Sequence, residues 1–235
     1  MELPAVMILL AGIVAMDTTS GPQILISEPV VSCSVLGILF GIPESGLMIG
    51  ILYQLLWLGY MPLGAARLAD SNMAAFISTG ALFTASRIFE FTDSVMHAAI
   101  VPSMLYAVVI AYIGLHLTNN VRKLNGKRND KCRLKIEKGE NLSIAGCHIL
   151  GIGSSILRGI LMALVLIPAG TIIIGLIRFM PSILISSLEY SSLIIWGVVS
   201  ASALFFFWLK GRQKVLLLGS VGGIIWMLVF VLQKV

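Results

Sequence analysis

Charged side chains are scarce in this sequence. Only 11% of its 235 residues are Asp, Glu, Lys or Arg, whereas 58% are apolar. A soluble domain carries roughly a quarter charged residues, and one of this length could not keep so much apolar surface away from water. Apolar runs of about 20 residues, the length that crosses a bilayer core of about 30 Å as a helix, recur along the chain. The composition predicts an all-α integral membrane protein, folded as a multi-span helical bundle.

Sequence motifs for catalysis, cofactors and metals are also lacking. No Gly-Lys-Ser/Thr loop is present, which excludes nucleotide hydrolysis by a P-loop mechanism. The three Cys and three His residues show no metal-ligand spacing, and no Ser/His/Asp arrangement is visible. No basic residue precedes the first apolar run, which argues against a cleaved signal peptide. We therefore expect no metal, no cofactor and no catalytic residue, but recognition and passage of a solute.

The apolar runs give seven candidate membrane segments. Two of them, Pro29–Leu58 and Ile144–Ile177, are too long for one upright span. Each of these two is expected to bend back, as a re-entrant hairpin does, or to continue as a half-helix. The seven candidates are Leu3–Met16, Pro29–Leu58, Met73–Phe91, Val95–Leu117, Ile144–Ile177, Leu193–Leu209 and Val215–Leu232.

Basic residues are concentrated between two of these runs. Eight of the sixteen Lys and Arg lie from Arg122 to Lys138. In a membrane protein such a cluster marks a cytoplasmic segment, so the net charge of +5 does not indicate nucleic-acid binding. The second cluster, Lys210–Lys214, is expected on the same side. The predicted division is an N-terminal membrane half (1–118), a basic cytoplasmic loop (119–141) broken by Gly126 and Gly139, and a C-terminal membrane half (142–235).

Helix-breaking residues interrupt the N-terminal half several times. Polar residues from Asp17 to Gln23 end the first apolar stretch, and a breaker-rich segment runs from Leu58 to Asn72. Non-helical backbone is tolerated in a membrane only where it is buried in protein or lines a wet cavity, and transporters build binding sites at broken helices. Each break alone could be an ordinary turn outside the membrane. Several within about 60 residues favour a translocation site.

Four polar residues are the candidate ligands of a solute at these breaks. The Gln54 amide lies among apolar residues and offers donors and acceptors that match a pair of sugar hydroxyls. Asp70 and Asn72 follow the break before the next apolar run, and Gln23 lies at the first break. The structural alternatives are a helix–helix hydrogen bond for Gln54 and helix N-capping or a surface turn for Asp70 and Asn72.

Several ionisable residues lie in or beside apolar segments, where a charge is costly. No spacing proves a pair among them. The candidates for buried ion pairs are Glu28, Arg67, Arg87 and Glu90, and Arg158 and Arg178 are single charges that could also lie at depth.

The run from Ser27 to Asp70 resembles the IIC subunit of the mannose/fructose/sorbose family of bacterial phosphotransferase systems. The resemblance rests on a Ser-Glu-Pro segment, a ladder of four glycines, a Gln-Leu-Leu-Trp motif and a Pro-Leu-Gly-Ala-Ala motif before Asp70. A weaker match around Leu157–Gly159 extends it over most of the chain. The residues are Ile26–Val31, Gly37, Gly41, Gly46, Gly50, Gln54–Gly59, Pro62–Ala66, Asp70, Gly139–Asn141, His148, Gly151 and Leu157–Gly159.

This resemblance implies a sugar permease of the bacterial inner membrane, in contact with membrane lipid and in a homo- or hetero-oligomer. Its partners are a IID membrane subunit and cytoplasmic IIA and IIB proteins, of which IIB phosphorylates the sugar. The resemblance implies that Gln54, Asp70, Asn72 and Gln23 contact the sugar. The family usually has a basic residue in place of Glu28 and a proline in place of Ala69. The alternative functions are a secondary transporter or channel without phosphoryl transfer, and a membrane scaffold.

Overall fold

The computed structural model shows a bundle of α-helices and describes residues 2–58, 69–138 and 144–209. These ranges contain no β-strand, so the all-helical prediction is confirmed. The helices are α1 (Glu2–Thr19), α2 (Pro29–Phe40), α3 (Pro43–Leu56), α4 (Ser71–Ile88), α5 (Asp93–Glu137), α6 (Ile144–Gly175) and α7 (Ser182–Leu209), with a 3-10 turn at Leu176–Phe179. The predicted segments Lys210–Lys214 and Val215–Leu232 lie outside the described residues, as does 59–68 with Arg67.

Among the described residues, three helices have the length and apolar composition to cross a membrane: Asp93–Glu137, His148–Phe179 and Ser182–Phe205. The predicted run Ile144–Ile177 does not bend back, because α6 continues as one helix through Pro168 into the 3-10 turn. Side chains bond to the two carbonyls that directly precede this proline. The Tyr106 hydroxyl donates to Leu166 O at 2.6 Å, and the Thr171 hydroxyl donates to Ile167 O at 2.8 Å. Pro168 cannot donate to Leu164 O, and these neighbouring bonds help to hold the helix together across that gap.

The run Pro29–Leu58 does bend back, as a hairpin of α2 and α3. Gly41 ends α2 with a φ of 74°, a conformation that glycine adopts without strain. A Cβ on Gly46 would lie 2.6 Å from the Gly37 Cα, and a Cβ on Gly50 would lie 2.8 Å from the Pro29 carbonyl oxygen. The glycine ladder is therefore the seam along which the two helices touch. At about 18 Å and 21 Å long, neither helix spans a bilayer core of about 30 Å.

Helix α4 is the centre of the bundle. Every residue from Met73 to Phe83 is buried, and α4 contacts α1, α2, α5 and α6. A helix that is buried on all sides belongs to the core. Its small polar residues bond to the hairpin: the Ser78 hydroxyl donates to the Tyr53 hydroxyl at 2.8 Å, and the Thr79 hydroxyl lies 3.3 Å from Cys33 Sγ.

The basic stretch differs from the predicted loop. Helix α5 runs without interruption across residue 118 and on to Glu137, and Gly126 lies inside it. Lys, Arg and Leu are good helix formers, and an isolated glycine in a helix costs only about 1 kcal/mol relative to alanine. The division of the chain into two membrane halves and the cytoplasmic location of this stretch stay predictions.

Candidate functional site

The site is organised by Asp17, whose carboxylate holds the segment between α1 and α2. Asp17 Oδ1 accepts a hydrogen bond from Ile24 N at 2.7 Å, and Oδ2 accepts one from Ser27 N at 3.0 Å. On either side of Ile24, Gln23 and Leu25 have φ values of 53° and 67°, which are uncommon for residues other than glycine. Asp17 is itself buried. A buried carboxylate that accepts backbone hydrogen bonds can hold such a strained turn in place.

Gln54 is placed against the start of α2 by the glycine seam, because it lies one turn after Gly50 on α3. Its Nε2 donates to Glu28 Oε2 at 2.7 Å, and its Oε1 accepts from Val30 N at 3.4 Å. The second bond satisfies one of the backbone N–H groups that a helix start leaves unpaired. The Glu28 carboxylate thus has an amide partner. Both side chains are half-buried.

Asn72 approaches the same segment from α4. Its Nδ2 donates to the Ser27 hydroxyl at 3.2 Å. Ser27 and Glu28 are neighbours in sequence, so the amides of Gln54 and Asn72 bond to adjacent residues of one turn. Two residues that the sequence analysis selected from separate breaks are therefore brought together here.

Asp70 lies two residues before Asn72 and ties four helices together. It caps α4, because its Oδ1 accepts from Met73 N at 3.3 Å. Its Oδ2 accepts from the Arg158 guanidinium of α6 and from the Thr118 hydroxyl of α5, and the same guanidinium reaches Ala15 O of α1 at 3.5 Å. The Asp70 and Arg158 side chains are each only 3% exposed.

A glycine on α5 makes room for this ion pair. A Cβ on Gly114 would lie 2.6 Å from the Asp70 Cβ, so the aspartate packs directly on the helix backbone. The Asp70 backbone N–H donates to Ala111 O at 3.1 Å, which fixes the chain at the same point. Asp70 therefore caps α4, as the structural alternative in the sequence analysis suggested. Its second partner, Arg158, was not assigned from the sequence.

The remaining predicted charges have other neighbours. Arg87 donates to Phe40 O at 2.8 Å and lies over the Phe40 ring at 4.9 Å, so it joins α4 to the hairpin through a carbonyl and an aromatic ring. Glu28 bonds to Gln54 rather than to an arginine. Gln23 is exposed on the same turn. Asp70 and Arg158 are 88 residues apart, and no sequence spacing predicted their contact.

The arrangement is suited to recognising a polyhydroxyl compound. Two amides, two carboxylates and a hydroxyl converge on one turn, and together they both donate and accept hydrogen bonds. Within 2–58, 69–138 and 144–209, no group of three or more His, Cys, Asp or Glu side chains is placed to hold a metal ion.

Comparison with known families identifies the protein family to which this chain belongs. The family model described as the sorbose-specific IIC component of the phosphotransferase system matches residues 3–230. This chain belongs to that family. The resemblance read from the residues between Ser27 and Asp70 is thereby confirmed.

Three relatives illustrate the similarity. The sorbose-specific EIIC component of Klebsiella pneumoniae is 28% identical over 138 residues, which are 59% of this chain and 48% of that protein. The mannose-specific EIIC component of Escherichia coli K12 is 26% identical over 152 residues, 63% of this chain and 53% of that protein. The sorbose-specific EIIC component of Lacticaseibacillus casei is 41% identical over 52 residues, 22% of this chain and 19% of that protein. The matches span about half the length of these curated relatives or less.

Two solved structures have the same fold. One, described as a membrane protein, has a TM-score of 0.68 at 20% identity and covers 97% of this chain and 94% of that chain. The other, a cryo-EM structure of the mannose transporter ManYZ with microcin E492, has a TM-score of 0.57 at 20% identity and covers 96% and 93%. The family, the fold and the apolar helices make this EIIC-family chain a multi-pass membrane protein.

Proposed function

We propose that this EIIC-family chain is the membrane-embedded sugar permease subunit of a phosphoenolpyruvate-dependent phosphotransferase system in a bacterial inner membrane. It translocates a hexose-type sugar, and a partner IIB protein phosphorylates that sugar. The chain itself performs no phosphoryl transfer. Its other partners are a IID membrane subunit and a IIA protein. Membership in the sorbose-specific IIC family supports this proposal.

The proposed sugar contacts are Gln54 and Asn72, with Gln23 and Asp70 beside them. The observation that carries the assignment is the convergence of the two amides on the adjacent residues Ser27 and Glu28. Sugar hydroxyls can take the place of these side-chain partners, because an amide both donates and accepts. Gln54 and Asn72 are half-buried, and Gln23 is exposed, so all three are accessible to a ligand.

Asp70 contributes to the same proposed site in a second way. Its carboxylate offers about four acceptor positions, and Arg158, Thr118 and Met73 N occupy three of them. One position remains, but the side chain is only 3% exposed, so a sugar hydroxyl reaches it only when the surrounding helices shift. The ion pair with Arg158 also holds the first turn of α4, and with it Asn72, in position.

In the proposed mechanism, a rigid-body shift of the helices around the turn exposes the bound sugar to phosphorylated IIB. The phosphate adds about two negative charges at neutral pH, and a charged product is costly to return through an apolar bundle. Transport in one direction follows from this change of charge.

Uptake into membrane vesicles tests the proposal. Vesicles containing this chain and its IID partner are supplied with radiolabelled mannose or sorbose, with and without phosphorylated IIB. We expect sugar phosphate to accumulate only when phosphorylated IIB is present. Accumulation of unmodified sugar that is indifferent to IIB and depends on the proton gradient would instead identify a secondary transporter with the same fold.

A further inference from the structure

The extension of α5 beyond Thr118 carries a row of lysines on one face. Lys123, Lys127 and Lys131, here called the lysine row, follow one another at intervals of four residues and are all exposed. This spacing places them one above the other on the helix surface. Like charges at this spacing repel each other, so the row weakens the helix that carries it. A partner of opposite charge would remove that repulsion.

Apolar side chains lie among the lysines. Leu124 is 45% exposed and Leu134 is 55% exposed, and the helical period places both on the face of the lysine row. These two side chains add apolar area beside the lysines, and burying apolar area stabilises a protein–protein contact.

The lysine row faces away from the bundle. On the opposite side of α5, Asn125 Oδ1 accepts from the Ser154 hydroxyl of α6 at 3.0 Å, and Thr118 contacts Arg158. These contacts attach the base of the extension to α6 and leave the lysine face open to a partner.

The geometry argues against the lipid surface as the partner of the outer end of the row. From Asp93 to Leu117 the helix is about 37 Å long, enough to cross a bilayer core of about 30 Å. Lys123, Lys127 and Lys131 lie about 8, 14 and 20 Å further along the axis than Thr118. For a tilt of about 20° and a headgroup layer of about 6 Å, they stand about 1, 7 and 12 Å beyond the lipid surface. Lys131 is thus beyond the Debye length of about 8 Å at physiological ionic strength, and Lys127 is close to it.

A second copy of the chain is an equally poor partner, since a symmetric contact would place the lysine row against itself. We propose that the lysine row, with Leu124 and Leu134, is a docking surface for an acidic face of a soluble protein on the same side of the membrane. Taking IIB as that protein rests on the proposed function.

Binding of purified IIB to this chain and its IID partner in nanodiscs of zwitterionic lipid tests the inference. The test variant is Lys127→Glu with Lys131→Glu. Its matched control is Arg122→Glu with Arg133→Glu, which changes the net charge equally on another exposed side of the same extension, where Arg133 pairs with Glu137. Sugar binding is measured on the same samples.

We expect the lysine variant to raise the Kd for IIB at least tenfold and the arginine variant to change it less than twofold, with sugar affinity unchanged in both. An equal effect of the two variants, no effect of the lysine variant, or no binding of IIB to the wild type would overturn the inference. So would binding that requires anionic lipid in the nanodisc. A failure of the proposed function would appear separately, as absent sugar binding in the wild type.

Discussion

Gln54 Nε2 donates to Glu28 Oε2 at 2.7 Å, a contact between the end of one short helix and the start of its partner. The contact depends on the backbone packing of the two helices. Because Gly37, Gly46 and Gly50 lack a Cβ, α2 and α3 touch along their backbones and Gln54 reaches the first turn of α2. The packing of the glycine ladder therefore sets the position of Gln54 in the site.

Gly46→Ala tests the seam. The new Cβ would lie 2.6 Å from the Gly37 Cα and 2.7 Å from the Cys33 carbonyl oxygen, and backbone atoms cannot move aside as a side chain can. We expect a loss of about 1–3 kcal/mol in the free energy of unfolding and weaker sugar binding, measured by thermal unfolding and radiolabelled sugar binding in detergent. Gly153→Ala is the control, since its Cβ meets nothing within 4 Å; an equal loss there would refute the packing argument.

Arg158→Met tests the buried ion pair. It leaves the Asp70 carboxylate without its cationic partner, and breaking a buried pair in this way costs about 3–5 kcal/mol. Adding Asp70→Asn removes the unpaired charge but keeps an oxygen for the α4 cap, so the double variant should recover part of the loss. Thermal midpoints of the purified complex report both effects. Arg178→Met, at an exposed arginine, should change little, and a double variant less stable than Arg158→Met would contradict the account.

Substitutions of Glu28 test whether its hydrogen bond orients the Gln54 amide for sugar binding. Glu28→Leu leaves Gln54 Nε2 without its acceptor, and we expect sugar affinity to fall about tenfold, which corresponds to about 1.4 kcal/mol. Glu28→Gln keeps an acceptor oxygen at nearly the same place and should stay within about threefold of the wild type, a difference of under 1 kcal/mol. Equal losses in the two variants would mean that the charge of Glu28, rather than its hydrogen bond, is what the site requires.

Much of the architecture could be predicted from the sequence because membrane helices have strong compositional signals. Long apolar runs predicted the helical bundle, and the length of Pro29–Leu58 together with its glycines predicted a bend. The same reasoning failed for Ile144–Ile177, because neighbouring side chains let α6 continue through Pro168. It also treated Gly126 as a breaker, although the surrounding Lys, Arg and Leu residues favour helix.

The candidate site was predictable only residue by residue. Gln54 stood out because an amide is costly in apolar surroundings, and Asn72 because it follows a helix break; the structure places both at one turn. The partner of Asp70 was not predictable, since Arg158 is 88 positions away and no local pattern links the two. Which charges pair in a membrane bundle depends on how its helices pack, and no local sequence pattern reports that packing.

The most direct test of the central claim, that the two amides at the α1–α2 turn hold the sugar, is equilibrium binding of radiolabelled sugar to three variants. Gln54→Leu and Asn72→Leu remove amides from the site, whereas Asn129→Leu removes one from the exposed surface of α5. Each site variant should bind sugar at least tenfold more weakly, a loss of about 1.4 kcal/mol or more, while it inserts and unfolds as the wild type does. Wild-type affinity in both site variants would contradict the account.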